Sequence, residues 1–208
     1  MKIVKASWEI LGIFGGLELI ELAARTCYKS EAKIQPGTAA PFIRDKILAH
    51  ETPHLSVIEH ASMTAKFIVD RGVSHELVRH RLASFSQESS RYCGYNRDSF
   101  GGEITVIEPC FWEPGSPSYA EWYTSMQEAE HHYMRLIESG AKPEQARSVL
   151  PNSLKTEIVM TANLREWRHV FKLRTSPRAH PQMREVTVPL LAEVRARVPI
   201  VFDEIEKG

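Results

Sequence analysis

Between Ala61 and Val69, the apolar residues Met63, Ala65, Phe67 and Val69 alternate with Ser62, Thr64 and Lys66. A period of two sends alternate side chains to opposite faces of an extended chain, so the stretch reads as a half-buried strand. Thr156, Ile158, Met160 and Ala162 repeat that period, and Ile104 to Ile107 reads as a third, short strand. Between these the period is helical. Leu17, Ile20 and Ala24 share a face from Gly16 to about Tyr28, and a helix starting near Thr38 carries Pro41 in its first turn with Phe42, Ile43 and Ile47 as its stripe. Gly72 is expected to end the first strand, and Ser74 to cap a short helix running through His80. The longest helix is expected from about Tyr119 to Ser139, with Trp122, Met126, Ala129, Tyr133 and Leu136 inward and Gly140 as its stop. Pro143 opens a short helix toward Leu150. Asn163 caps one carrying Leu164, Trp167 and Phe171, and the chain is helical again from about Gln182, with bends near Pro189 and Pro199. Alternating strands and segregated helices without a linker or repeat predict one α+β domain over residues 1–208, its antiparallel or mixed sheet flanked by helices.

The charge balance narrows what such a domain can bind. Lys plus Arg equals Asp plus Glu at 26 each, so no global field draws the chain to nucleic acid or to a membrane surface. Any anion site has to be built locally from clustered arginines. Cys27, Cys93 and Cys110 are odd in number and far apart, which gives no disulfide framework and no metal-binding pair. Lys5 and Glu9 interrupt the N-terminal apolar residues, no stretch approaches a membrane span, and a reducing cytoplasm is the expected location.

The densest polar cluster runs from Arg79 to Tyr92 and holds Arg79, His80, Arg81, Ser84, Ser86, Gln87, Glu88, Ser89, Ser90 and Arg91. A guanidinium is a planar fork that grips phosphate or carboxylate through two bonds, and hydroxyls add short charge-assisted ones. From the residues alone, an anion or nucleotide site stands level with a solvated helix end running into a polar loop. A second cluster joins Asn163, Leu164, Arg165, His169 and Arg174. Arg165 and His169 lie four apart and share a helical face opposite the core stripe; by itself this reads as the charged outer face of an amphipathic helix. A third runs from His54 through Ser56 to His60. Pro53 breaks any helix that would align His50 with His54, and His75 and His80 lie five apart, about 140° around a helix, so no metal site is read from either pair.

The segment Arg79–Arg91 resembles the signature RHRxxSxNxxSxR of flavin-dependent thymidylate synthases, with Arg79, His80, Arg81, Ser84, Ser89 and Arg91 in place and Ser86 where the pattern has Asn. Four further motifs of the chain resemble the same family in the same order: AARTCY (Ala23–Tyr28), HxSxxEH (His54–His60), ARxxLP (Ala146–Pro151) and NLRxxxHxxxLR (Asn163–Arg174). The resemblance implies an α+β homotetramer making dTMP from dUMP, with FAD, NADPH and methylene-tetrahydrofolate. It implies that FAD is held by His54, Ser56, Arg79, His80, Arg81, Gln87, Asn163, Leu164, Arg165 and His169. It places dUMP against Glu76, Leu77, Val78 and Arg79, the loop Gln87, Glu88, Ser89, Ser90 and Arg91, and Arg147 and Arg174. Arg174 and Ser89 are the catalytic candidates: Arg174 polarises the pyrimidine edge, and Ser89, with no histidine–carboxylate partner near it in sequence, orients substrate rather than attacking it. Reduced flavin then does the redox work without an enzyme cysteine.

Two other classes compete. A non-catalytic nucleotide- or RNA-binding module would use the same arginines, but balanced charge and the lack of an aromatic RNA-binding strand speak against it. A cysteine-dependent transferase would rest on Cys110, around which nothing marks a depressed thiol pKa.

Overall fold

The computed structural model describes residues 1–50, 52–92, 94–95 and 101–205. Along the chain come β1 (Lys2–Val4), β2 (Ser7–Phe14), α1 (Leu17–Cys27), α2 (Ala39–Phe42) with a π-helical turn Ile43–Leu48, and a 3-10 segment Leu55–His60. There follow β3 (Ser62–Asp70), α3 (Arg71–Leu77), β4 (Ala83–Gln87), β5 (Thr105–Ile107), α4 (Pro117–Glu138), α5 (Pro143–Ala146), β6 (Lys155–Asn163), α6 (Leu164–Arg174) and α7 (Pro181–Arg197). The fold is mixed α+β. One sheet has the order β2-β3-β6-β4, and β1 pairs separately with β5 in parallel, Ile3 opposite Val106.

The chain divides into two compact units: residues 1–7, 67–79 and 86–158, and residues 8–66, 80–85 and 159–208. The first has its core where α4 lays Trp122, Met126 and Tyr133 over Ile104, Val106 and Leu154. Ser116 starts α4 by accepting from the Tyr119 N–H, ahead of a proline whose missing donor costs nothing at a helix start. In the second unit α6 and α7 pack together, and Trp167, Phe171 and Phe202 form a ladder with ring centroids 5.5 and 5.6 Å apart. The Trp167 indole N–H donates to the Met63 carbonyl at 2.9 Å, which lets a fully buried tryptophan keep its polar atom satisfied.

Both period-two strands are observed: β6 alternates half-buried and buried residues throughout and runs one residue further at each end than expected, whereas β3 alternates as far as Val69, ends on the buried Asp70 and begins at Ser62 rather than Ala61. Three expectations are corrected. Gly72 does not end β3 and Ser74 caps nothing: Asp70 is the cap, accepting from the Val73 N–H at 2.6 Å, and Ser74 is a buried helix residue. Ser74 lies inside that helix, where its hydroxyl donates to the Arg71 carbonyl at 3.0 Å instead of accepting from an orphan N–H. That helix stops at Leu77 rather than His80, and the presumed polar loop after it is the strand β4. The helix near Thr38 has a single α turn before it widens into the π turn, which places Ile43 and Ile47 inward. The N-terminal strands β1 and β2 were not anticipated at all; β2 is an edge strand with most of its residues exposed, so its pattern carries little burial signal.

Candidate active site

In the first unit, β4 ends at Gln87, whose amide donates to Ser74 Oγ at 2.9 Å and Thr156 Oγ1 at 3.2 Å. The chain then turns through Glu88–Tyr92. Ser89 shapes the turn, its carbonyl accepting from Tyr92 and its Oγ from the Arg91 N–H. Ser90 is buried and accepts from Arg147 Nη1 at 3.3 Å, so the ARxxLP segment is tied to the serine-rich turn. Arg91 is half-exposed, with its Nε 3.8 Å from Glu144, a surface pair that is readily exchanged for another anion. Beside them Lys155 bridges Glu88 at 2.9 Å and Glu157 at 2.7 Å. Burial pulls its pKa down, but the bonds from Glu157 and Glu88 outweigh that and hold it above the usual lysine value. The turn carrying Ser89, Ser90 and Arg91, with Arg147 bonded to it through Ser90, thus offers cations and hydroxyls suited to an anion.

The second unit holds the other cluster. Asn163 caps α6 by accepting from the Glu166 N–H at 2.8 Å, and the Leu164 N–H is taken by the Ala61 carbonyl. Arg165 reaches Glu59 at 2.6 Å, which joins the HxSxxEH segment to the start of α6. His54 is exposed with its ring 4.8 Å from that of His50, and Ser56 is exposed nearby in sequence. His80 is 3% exposed. Its Nε2 accepts from Arg174 Nε at 3.0 Å, while its Nδ1 faces Glu166 Oε1 at 3.4 Å. His169 Nδ1 meets the same oxygen at 3.1 Å, and the two imidazoles stand edge to face, 5.4 Å apart. Burial first, then the Arg174 charge and His169, push the His80 pKa below its ordinary value against the pull of Glu166, so the ring is neutral.

Ligand atoms of His80, Glu166 and His169 lie within 4.8 Å of one another, a spacing a metal ion could use. The hydrogen bonds speak against one. Because Arg174 donates to His80 Nε2, the proton of neutral His80 is on Nδ1, which therefore donates to Glu166. Metal binding at Nδ1 would move that proton to Nε2 and set it against the Arg174 N–H. The cluster is a hydrogen-bonded chain.

A groove of about 1130 Å³ opens beside it, lined by Pro53, Leu55, Leu82, Asn163, Arg165, Glu166, His169 and Lys172, among others. Its lining combines apolar side chains with cations and carboxylates, a mixture that can take a flat aromatic ring with a polar tail. The expected substrate contacts Glu76, Leu77, Val78, Arg79, Gln87–Arg91 and Arg147 fall in the first unit, and Arg174 in the second. The expected flavin contacts His54, Ser56, His80, Arg81, Asn163, Leu164, Arg165 and His169 fall in the second, and Arg79 and Gln87 in the first. Leu77 and Leu164 are fully buried, and the Leu164 N–H is already taken by the Ala61 carbonyl, so neither presents surface to a ligand in this structure. Arg79 and Arg81 are exposed and form no ion pair among the described residues. Arg25 of AARTCY is structural: it is buried, paired with Glu21 at 2.7 Å and stacked 4.2 Å from the Phe42 ring centroid. Cys27 and Cys110 are exposed; Cys93 lies outside the described residues. Sequence reasoning missed Glu166. Three residues after Asn163 it reads as the partner of a capping box, and only the fold reveals that its side chain faces two histidines.

This α+β fold, with its arginine-bearing turn and its histidine–carboxylate groove, is that of a known family. The model of that family, described as "Thymidylate synthase complementing protein", matches residues 10–200, and the chain belongs to it. Among its relatives, a flavin-dependent thymidylate synthase of Geobacter sulfurreducens is 36% identical over 91% of this chain and 82% of its own length. Another from Mycobacterium sp. (strain JLS) is 35% identical over 92% and 81%. A crystal structure of the UMP/dUMP methylase PolB from Streptomyces cacaoi, bound with 5-Br dUMP, superposes with a TM-score of 0.79 at 24% identity, covering 98% of this chain and 96% of that one; it establishes likeness of fold. The chain is accordingly an enzyme of the flavin-dependent thymidylate synthase family, a methyltransferase.

Proposed function

We propose that the protein makes dTMP from dUMP, with FAD as its flavin, methylene-tetrahydrofolate as carbon donor and NADPH as reductant, and that it works as a homotetramer of one-domain chains. The observation that carries the reading is the tie between Ser90 and Arg147. It brings the Arg147 guanidinium onto the serine-bearing turn that also carries Arg91, a combination of donors suited to a nucleotide phosphate. FAD fits the second unit's groove, where Arg165 and Lys172 offer charge to a pyrophosphate and Asn163 and His169 offer polar atoms beside apolar Leu55 and Leu82. When bound, FAD would supply the redox chemistry that the transferred carbon requires, with NADPH as the source of reducing equivalents.

The chain's own residues supply orientation and charge. Carbon five of uracil is a poor nucleophile until electron density is pushed into the ring. Arg174, half-buried and steadied by neutral His80, presents a guanidinium that stays charged at every working pH. Set against the pyrimidine edge, it stabilises negative charge developing on the ring oxygens. The Gln87–Arg91 turn holds the nucleotide, with Ser89 orienting it. His54, Ser56, Arg79 and Arg81 are exposed and offer further contacts to the flavin and substrate phosphates.

The test is reconstitution with FAD, desalting, and assay of dUMP conversion with NADPH and methylene-tetrahydrofolate. Retained flavin absorbance and dTMP formation are expected, and both should persist when Cys27, Cys93 and Cys110 are each changed to Ala. A colourless protein, or a cysteine variant that folds but loses turnover by orders of magnitude, would overturn the corresponding part.

A further inference from the structure

We propose that Glu166 is a positioning residue: it sets the tautomers of both His80 and His169, and through them the aim of Arg174 and the polarity of the groove wall. The inference rests on the functional reading above for its consequences but not for its geometry. One carboxylate oxygen, Glu166 Oε1, lies 3.4 Å from His80 Nδ1 and 3.1 Å from His169 Nδ1. A carboxylate only accepts, so each neutral imidazole turns its N–H inward and leaves a lone pair on Nε2. For His80 that lone pair is the atom to which Arg174 Nε donates at 3.0 Å. The other tautomer would present N–H to N–H there and eject the guanidinium. For His169, half-exposed at the groove, the same constraint makes Nε2 an acceptor, matched to an N–H or O–H donor on the ligand rather than to one of its phosphate oxygens.

Glu166 is itself held. It is buried, its backbone N–H is tied to the Asn163 side chain at 2.8 Å, and it sits in the first turn of α6, where the helix dipole favours a carboxylate. One rigid helix start therefore carries the carboxylate, and the same helix carries His169 and Arg174 at its other end. A carboxylate set against one ring nitrogen in this way decides which nitrogen faces outward.

The experiment reads the imidazole nitrogens of 15N-labelled protein at pH 8, above the ordinary imidazole range. His80 and His169 are expected to be protonated on Nδ1 in the wild type. Glu166→Leu removes the acceptor and should abolish that signature, weaken FAD binding and raise KM for dUMP, each by about tenfold, the equivalent of one hydrogen bond. Glu166→Gln keeps an accepting oxygen and should restore both tautomers, with FAD affinity and KM near wild-type values. Nε2-protonated rings in the wild type would overturn the inference, as would a Glu166→Gln protein as impaired as Glu166→Leu. Should Glu166→Leu not fold, the wild-type tautomers and the Glu166→Gln rescue still decide. A wild type that binds no FAD would instead overturn the functional reading and leave the tautomer result standing.

Discussion

Arg174→Ala should damage this protein in two separable ways. The first is local stability. His80 Nε2 accepts from Arg174 Nε at 3.0 Å inside a side chain that is 3% exposed, so truncation leaves a buried acceptor without that donor. An orphaned buried acceptor costs about 1–3 kcal/mol, which for a chain of this length lowers Tm by about 2–4 °C per kcal/mol. The Arg174 charge is also the second cause, after burial, of the depressed His80 pKa, so His80 should titrate higher in the variant. The second effect is on substrate. Loss of a charge-assisted bond costs about 1.5–3 kcal/mol, or roughly 10- to 150-fold in dUMP affinity, with a further fall in turnover if the bond strengthens as charge develops. Arg174→Lys keeps the charge but loses the planar fork and the Nε donor, and should rescue little of either. The assays are thermal melting, a dUMP titration of the flavin-loaded variant and its turnover. If Arg174→Ala melts as the wild type does and binds dUMP equally well, both the buried contact and the substrate role are refuted. FAD retention should be largely kept, because the groove residues Asn163 and Arg165 are untouched.

Acid should destabilise the fold through His80. Its folded pKa is below the unfolded value of about 6.5, so its contribution is complete above that pH and is lost as pH falls from there toward the folded pKa. Urea midpoints between pH 7.5 and 5 should drop more steeply for wild type than for His80→Gln, and equal slopes would refute the assignment. Asp70→Ala removes the cap of α3 and should cost about 0.5–2 kcal/mol by denaturant unfolding, whereas Ser74→Ala, which removes no cap, should spare the helix start while loosening Gln87; equal losses at the α3 start would reverse the cap assignment.

The elements legible in the sequence are those whose burial alternates locally. β6 throughout and β3 as far as Val69 show a period of two, α4 and α6 a helical stripe, and Asn163 a cap whose acceptor lies three residues from the N–H it serves. In each case the deciding contacts span a few residues, so order along the chain is enough. The motif resemblance likewise named the family, because a motif is local by definition. The strands β1, β2 and β4 were not legible: their partners lie far away in sequence and their faces are half-exposed, so pairing rather than patterning makes them strands. The same holds at the site. From the residues alone, Arg165 and His169 are a solvated face, Glu166 is not singled out and His80 is one polar residue of a cluster. Tertiary structure alone brings His80, which lies 94 residues before Arg174, against it, and puts one oxygen of Glu166 between two imidazoles. Hydrogen-bond direction at a histidine depends on which groups face each nitrogen, and that is a property of positions in space, so the tautomers, the depressed His80 pKa and the case against a metal ion were all decided by the fold.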